Sequence, residues 1–179
     1  MRMGFLATVG LLLLGGCVMA VGQTSPRPNV FVDGGGRTLA LSIWNTVRDE
    51  YKVPSQSGLA PIDVKAWRTT LTAGFRNGFG GGFEIADSRH ESDLTIELIE
   101  ARLEVVPTAW SAEGDPVAVA AQVRFKAQLL DASGQVLRRS SRTVASKIPA
   151  TDATEVSHAA GSAVESMYEQ IAADLFPDP

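Results

Sequence analysis

One cysteine and two histidines leave this chain little of the chemistry that builds metal centres. Cys17 has no second cysteine for an internal disulfide, and His90 and His158 lie far apart, so no Cys/His set with zinc spacing exists. Basic residues are not in excess either. The 16 Lys and Arg stand against 20 Asp and Glu, a formal net charge of −4, and such a surface does not suit nucleic acid, which rewards clustered cations. An apolar run of comfortable membrane-spanning length is missing, because Gly4–Leu14 is too short. The serines lack a nucleophile-elbow motif. Glu97, Glu100, Glu104 and the carboxylates of the C-terminal segment have no His or Lys in evident support, so they read as soluble surface rather than as an acid–base pair. These absences together predict a protein without catalysis, metal or cofactor. What is present is globular: 45% hydrophobic and 20% charged residues exclude a disordered chain, and 179 residues suit one ordinary domain.

The N-terminal segment has three parts. Arg2 supplies a positive charge, Gly4–Leu14 an apolar stretch of signal-peptide length, and Leu14-Gly15-Gly16-Cys17 a cleavage and modification point. This last tetrapeptide resembles the bacterial lipobox, in which an aliphatic residue and two small ones precede a cysteine. The resemblance implies a thioether-linked diacylglyceryl group on Cys17, cleavage before it, and acylation of the new amino terminus. Each buried methylene adds about 0.8 kcal/mol, so several chains anchor far more firmly than one. Val18 after the cysteine, rather than Asp, favours the outer membrane of a Gram-negative host by the sorting rule for such lipoproteins. Residues 1–16 are therefore expected to be removed, 17–29 to form the lipidated cysteine and a tether, and 30–177 to form a single domain facing the periplasm.

Within that domain, Val30–Val32 suggests a strand ended by Gly34–Gly36, and Thr38–Val47 a second strand with Leu39, Leu41 and Ile43 on one face. Tyr51–Pro61 reads as loop. Asp63 is placed as an N-cap before Val64, Trp67, Leu71 and Phe75, whose spacing predicts a helix ending near Gly78. Gly78–Gly82 then follows a helix and precedes the short strand Phe83–Ala86. A phosphate loop needs the opposite order, so the glycines read as a helix C-cap and turn. Leu94, Ile96 and Leu98 alternate with polar residues, after which the phase slips to Ile99, Ala101, Leu103 and Val105; a β-bulge near Leu98 and Ile99 explains the slip. Val117–Leu129 alternates most clearly. Asp131–Gly134 turns it into Gln135–Lys147, whose own register is ambiguous. A helix from Thr151 or Asp152 to Phe176 carries the stripe Val156, Ala160, Ala163, Val164, Met167, Ile171 and Leu175, and Pro177 stops it. The order predicts an α+β fold: a mainly antiparallel sheet with two amphipathic helices packed on one face, a two-layer sandwich.

The lipobox, the helix with its glycine-rich turn, the Phe83–Asp87 and Asp93–Leu98 segments, the hairpin through Leu130–Leu137 and the closing Ile171–Leu175 form a recognisable sequence of elements. It resembles small α+β envelope lipoproteins: the YajG-like group, the lipopolysaccharide-assembly lipoprotein, and the auxiliary lipoproteins of ABC transporters. The resemblance covers about residues 60–176 and implies a non-enzymatic accessory. Its partners would be the membrane, through the acyl groups on Cys17, and an envelope protein complex, with lipid or lipopolysaccharide as the alternative.

Arg124, Lys126, Arg138, Arg139 and Arg142 fall on adjacent strands of one hairpin, so some must cluster. They are the candidate patch for lipid phosphate, lipopolysaccharide or an acidic partner. A charged face that keeps a sheet edge soluble accounts for the same residues more economically. Trp110 has two readings, an exposed tip touching lipid or partner, or an anchor folded back on the sheet. Trp67 belongs to the core stripe.

Overall fold

The computed structural model describes residues 19–54, 61–112, 116–147 and 153–177. Cys17, the leader before it and the expected helix start at Thr151 or Asp152 lie outside the described residues. Along the chain the elements are β1 (Met19–Val21), β2 (Thr38–Ile43), β3 (Tyr51–Val53), β4 (Ile62–Val64), α1 (Trp67–Phe79), β5 (Glu84–Ala86), β6 (Leu94–Trp110), β7 (Pro116–Asp131), β8 (Val136–Ala145) and α2 (Ala153–Leu175). They form a five-stranded sheet in the order β5-β2-β6-β7-β8 and a three-stranded sheet β1-β4-β3. The class is α+β, as expected.

Alternation decides which face of the large sheet is core. Val119, Ala121, Val123, Phe125, Ala127 and Leu129 of β7 are buried, while Arg124 and Lys126 between them are exposed. Strand β6 pairs with β7 up to Leu98↔Ala127 and resumes at Glu100↔Lys126, leaving Ile99 as the extra residue. This bulge returns Ala101, Leu103 and Val105 to the buried face shared by Ile96 and Leu98. The apolar stripe of α2 is wholly buried, and Tyr168 joins it, donating from its hydroxyl to the Leu71 carbonyl of α1 at 2.8 Å. Burial alone pushes the Tyr168 pKa far up. Phe75, Phe79, Phe83, Phe176 and Tyr168 pack as one aromatic cluster with centroids 5.3–6.5 Å apart.

The large sheet is mainly antiparallel, as expected, through β6-β7-β8, while β2 runs parallel to both of its neighbours, β5 and β6. The intervening α1 brings the chain back to enter β5 in the direction of β2, which a short turn cannot do.

The expected tether is docked rather than free. Val21 is buried in β1, and Ser157 Oγ of α2 donates to the Ala20 carbonyl at 3.2 Å. Beyond it the backbone N–H groups of Thr24, Arg27 and Asn29 donate to Thr70 Oγ1, Glu165 Oε1 and Glu169 Oε1 at 3.1, 2.8 and 3.1 Å. Asn77 Nδ2 donates to the Pro26 carbonyl at 2.8 Å. Pro26 and Pro28 are buried and bring no N–H needing a partner. A strap held by main-chain hydrogen bonds needs no apolar period, so side-chain patterning does not reveal it.

Val30–Val32 is the end of this strap, not a strand. Val30 and Val32 pack on the core while Phe31 is 86% exposed. Gly34 N–H donates to the Gly82 carbonyl at 3.0 Å, and a Cβ on Gly82 would collide with the Val32 carbonyl oxygen. This close crossing is what the glycine-rich turn after α1 permits.

Asp63 does not cap α1. It lies in β4 opposite Lys52 of β3, inside the stretch expected to be loop and helix start. The first α1 donors are met from a distant loop instead: Trp67 N–H by the Asp49 carbonyl at 3.0 Å, and Arg68 N–H by Asp49 Oδ1 at 2.8 Å.

Candidate functional site

The β7–β8 register decides what becomes of the basic hairpin. Directly opposed antiparallel residues point to the same face. Arg142 lies opposite buried Phe125 and Arg138 opposite buried Leu129, on the helix side of the sheet. Arg139 lies opposite Gln128, on the other side with Arg124 and Lys126. The five residues are therefore split between two faces and form no single patch.

Arg142 is structural. Its Nε and Nη2 donate to Asp174 Oδ2 and Oδ1 of α2 at 2.9 and 3.0 Å, and Ser140 Oγ adds a bond to Oδ2 at 2.6 Å. The Arg142 hydrogen bonds, foremost, and those from Ser140 and Gln170 hold the Asp174 carboxyl below its usual range. A depressed carboxyl pKa stabilises the fold fully above the ordinary Asp value, and that contribution is lost as pH falls through the folded value. Asp174→Asn is thus expected to cost about 2 kcal/mol near neutrality, the scale of charge-assisted hydrogen bonds. The difference from wild type should close as pH falls below the ordinary Asp value in urea unfolding. A difference that stays constant as pH falls contradicts the assignment.

Arg138 and Arg139 are exposed and form no ion pair among the described residues. They sit beside Val136 and Leu137, 40% and 50% exposed, on β8, the terminal strand of the large sheet. Trp110 is 50% exposed at the end of β6, opposite Pro116, which decides between its two readings in favour of an exposed tip. Trp67 is buried, and its indole N–H donates to the Ala101 carbonyl at 2.9 Å.

Arg124 and Lys126 enter a different constellation, one the sequence reading missed. They border an open cleft of about 610 Å³ floored by Ile99–Arg102 and rimmed by Thr46, Arg48, Tyr51 and Lys52. The bulge makes it possible. Ile99 turns its carbonyl to Thr46 Oγ1 at 2.6 Å, which draws the loop after β2 over β6. Arg68 of α1 fixes that loop from behind, donating to the carbonyls of Ile43, Trp44 and Val47 at 2.9–3.0 Å. Tyr51 accepts from Leu103 N–H at 2.8 Å, and burial, its largest influence, pushes its pKa up to about 12.

In the cleft, Glu100 takes Arg124 Nε at 2.8 Å on one oxygen and Lys126 Nζ at 3.1 Å on the other. Burial resists its ionisation, but these hydrogen bonds and charges outweigh that and leave the Glu100 pKa below the usual range. Neither Arg48 nor Arg102 forms an ion pair among the described residues. The signal that would have found this site is the β6–β7 register, which sets Arg102 opposite Arg124.

His90 lies in the 3-10 turn Arg89–Glu91 and His158 in α2. Among the described residues no group of three or more His, Cys, Asp or Glu side chains is placed to hold a metal ion, and no helix is long and apolar enough to cross a membrane.

No family model matches this chain, and no curated protein matches its sequence. Solved structures do match. An uncharacterized lipoprotein B from Nitrosomonas europaea shares 15% identity, over 84% of this chain and 88% of its own, with a TM-score of 0.43. A minor lipoprotein from Acinetobacter baumannii shares 12%, over 81% and 90%, with a TM-score of 0.45. Protein XCC0632 from Xanthomonas campestris, of the family DUF330, shares 18% identity over 86% of this chain and 92% of its own, with a TM-score of 0.53. The chain is similar in fold to this Xanthomonas protein, and at that identity the likeness extends to the fold alone.

Proposed function

We propose that this protein is a bacterial outer-membrane lipoprotein, acylated on Cys17 and facing the periplasm. It serves as a non-enzymatic accessory that binds or positions a larger envelope assembly or transport protein. The sequence Leu14-Gly15-Gly16-Cys17 supports the anchor. With the strap docked, only Val18 separates Cys17 from β1, so the domain is held within about 10 Å of the bilayer surface. The resemblance to YajG-like, lipopolysaccharide-assembly and ABC-transport auxiliary lipoproteins supports an envelope protein as the class of partner.

The observation that carries the binding role is the free edge of β8. A ten-residue terminal strand with exposed Val136 and Leu137 beside unpaired Arg138 and Arg139 is a template for an added strand with acidic and apolar side chains. The triple variant Leu137→Glu, Arg138→Glu, Arg139→Glu should keep its circular dichroism and melting temperature. It should also lose, by tenfold or more, the protein that co-purifies stoichiometrically with the wild type from detergent-solubilised membranes. Equal capture by the variant contradicts the edge as the docking site. Recovery of lipid without protein favours the lipid- or lipopolysaccharide-carrying alternative instead.

A further inference from the structure

We infer that the cleft over the β6 bulge is a binding site for a phosphate-bearing ligand, held chiefly by Arg48, Arg102 and Arg124. The first ground is charge. In a chain of net charge −4, this one cavity is lined by five cations, Arg48, Lys52, Arg102, Arg124 and Lys126, against one carboxylate, Glu100. Acids at its margin do not restore balance: Glu104 reaches Arg124 only at 3.9 Å and Asp63 reaches Lys52 at 3.6 Å.

The second ground is register. Arg102 and Arg124 are direct cross-strand partners, a like-charge pairing that costs stability unless an anion sits between them. Glu100 is already shared by Arg124 and Lys126, and Arg102 forms no ion pair among the described residues.

The third ground is preorganisation. Arg48 is carried on the loop that Thr46, Asp49 and Arg68 lock to the bulge and to the start of α1, so little ordering is needed when a ligand enters. Guanidinium groups converging on one cavity suit the several oxygens of phosphate, which they can bind in bidentate fashion. A volume of about 610 Å³ holds more than a bare ion. The ligand is therefore a phosphate ester or a pyrophosphate, free or as a lipid headgroup. This site is centred on β6 and the loop after β2 and does not rest on the partner-binding reading.

The test uses the full chain purified in detergent, with inorganic pyrophosphate and short-chain dihexanoyl phosphatidic acid as probes and dihexanoyl phosphatidylcholine as the control lipid. Calorimetric titration should show saturable binding of at least one phosphate probe and weaker binding of the control. The double variant Arg48→Gln, Arg102→Gln removes two exposed side chains without ion pairs, so its melting temperature should match wild type while affinity falls at least tenfold. The control Arg27→Gln, an exposed side chain on the strap against α2, should bind as wild type does. Binding of pyrophosphate alone identifies a free phosphate ligand, and binding of phosphatidic acid alone identifies a headgroup. No binding of either probe, full affinity in the Arg48 and Arg102 variant, or equal loss in the Arg27 control overturns the proposal.

Discussion

Replacing Trp67 with alanine is expected to remove about 3–5 kcal/mol of stability, the range for deleting a buried tryptophan. In a chain of this length that lowers the melting temperature by about 10 °C or more. The size of the effect follows from where Trp67 stands. It is the first residue of α1, 1% exposed and part of the main core cluster. Its indole N–H meets the Ala101 carbonyl two residues beyond the bulge, and its backbone N–H meets Asp49. Truncation leaves a cavity and an unpartnered carbonyl together. Trp67→Phe keeps most of the volume and loses only the hydrogen bond, so about 1–2 kcal/mol is expected. Thermal and urea unfolding measure both. A Trp67→Ala protein within about 1 kcal/mol of wild type would show that α1 is not pinned to the sheet in this way.

The parts of the fold legible from the sequence are those in which side-chain pattern alone sets structure. Val119 to Leu129 alternate because one face of β7 is core, and the phase slip at Leu98 and Ile99 marks the bulge. The stripe from Val156 to Leu175 marks the buried side of α2. Where polar atoms from distant segments do the work, the sequence is silent. The strap from Gly22 to Gly34 is held by main-chain donors meeting Thr70, Glu165 and Glu169, and α1 is capped by Asp49 across the loop.

The same division runs through the site. Adjacent strands bring Arg124, Lys126 and the β8 arginines near one another, as the hairpin implies, but the face of each depends on register. Neither alternation of Val136–Ala145 is apolar enough to fix it. Ser140 and Arg142 point to the helices because Asp174 awaits them there. Arg48 and Arg102 join Arg124 through the β6–β7 pairing and the docked loop, neither of which side-chain pattern encodes.

The larger functional effect is expected from a single sulfur atom. Cys17→Ser should abolish incorporation of labelled fatty acid and shift the protein from the membrane fraction to an unprocessed or soluble form, a change from nearly complete retention to nearly none. The reasoning is additive burial of methylenes: at about 0.8 kcal/mol each, the acyl chains proposed on Cys17 would dominate the membrane affinity. The fold itself should be unaffected, because the core residues and strap hydrogen bonds that hold the N-terminal segment to the body involve Val21, Thr24, Arg27 and Asn29 rather than Cys17.

Intact mass spectrometry of the protein extracted from membranes tests this account most directly. A mature chain that starts at Cys17 and carries the added mass of a diacylglyceryl group and an amide-linked acyl chain is the expected result. A first residue that is not Cys17, or a Cys17 without lipid, would contradict it.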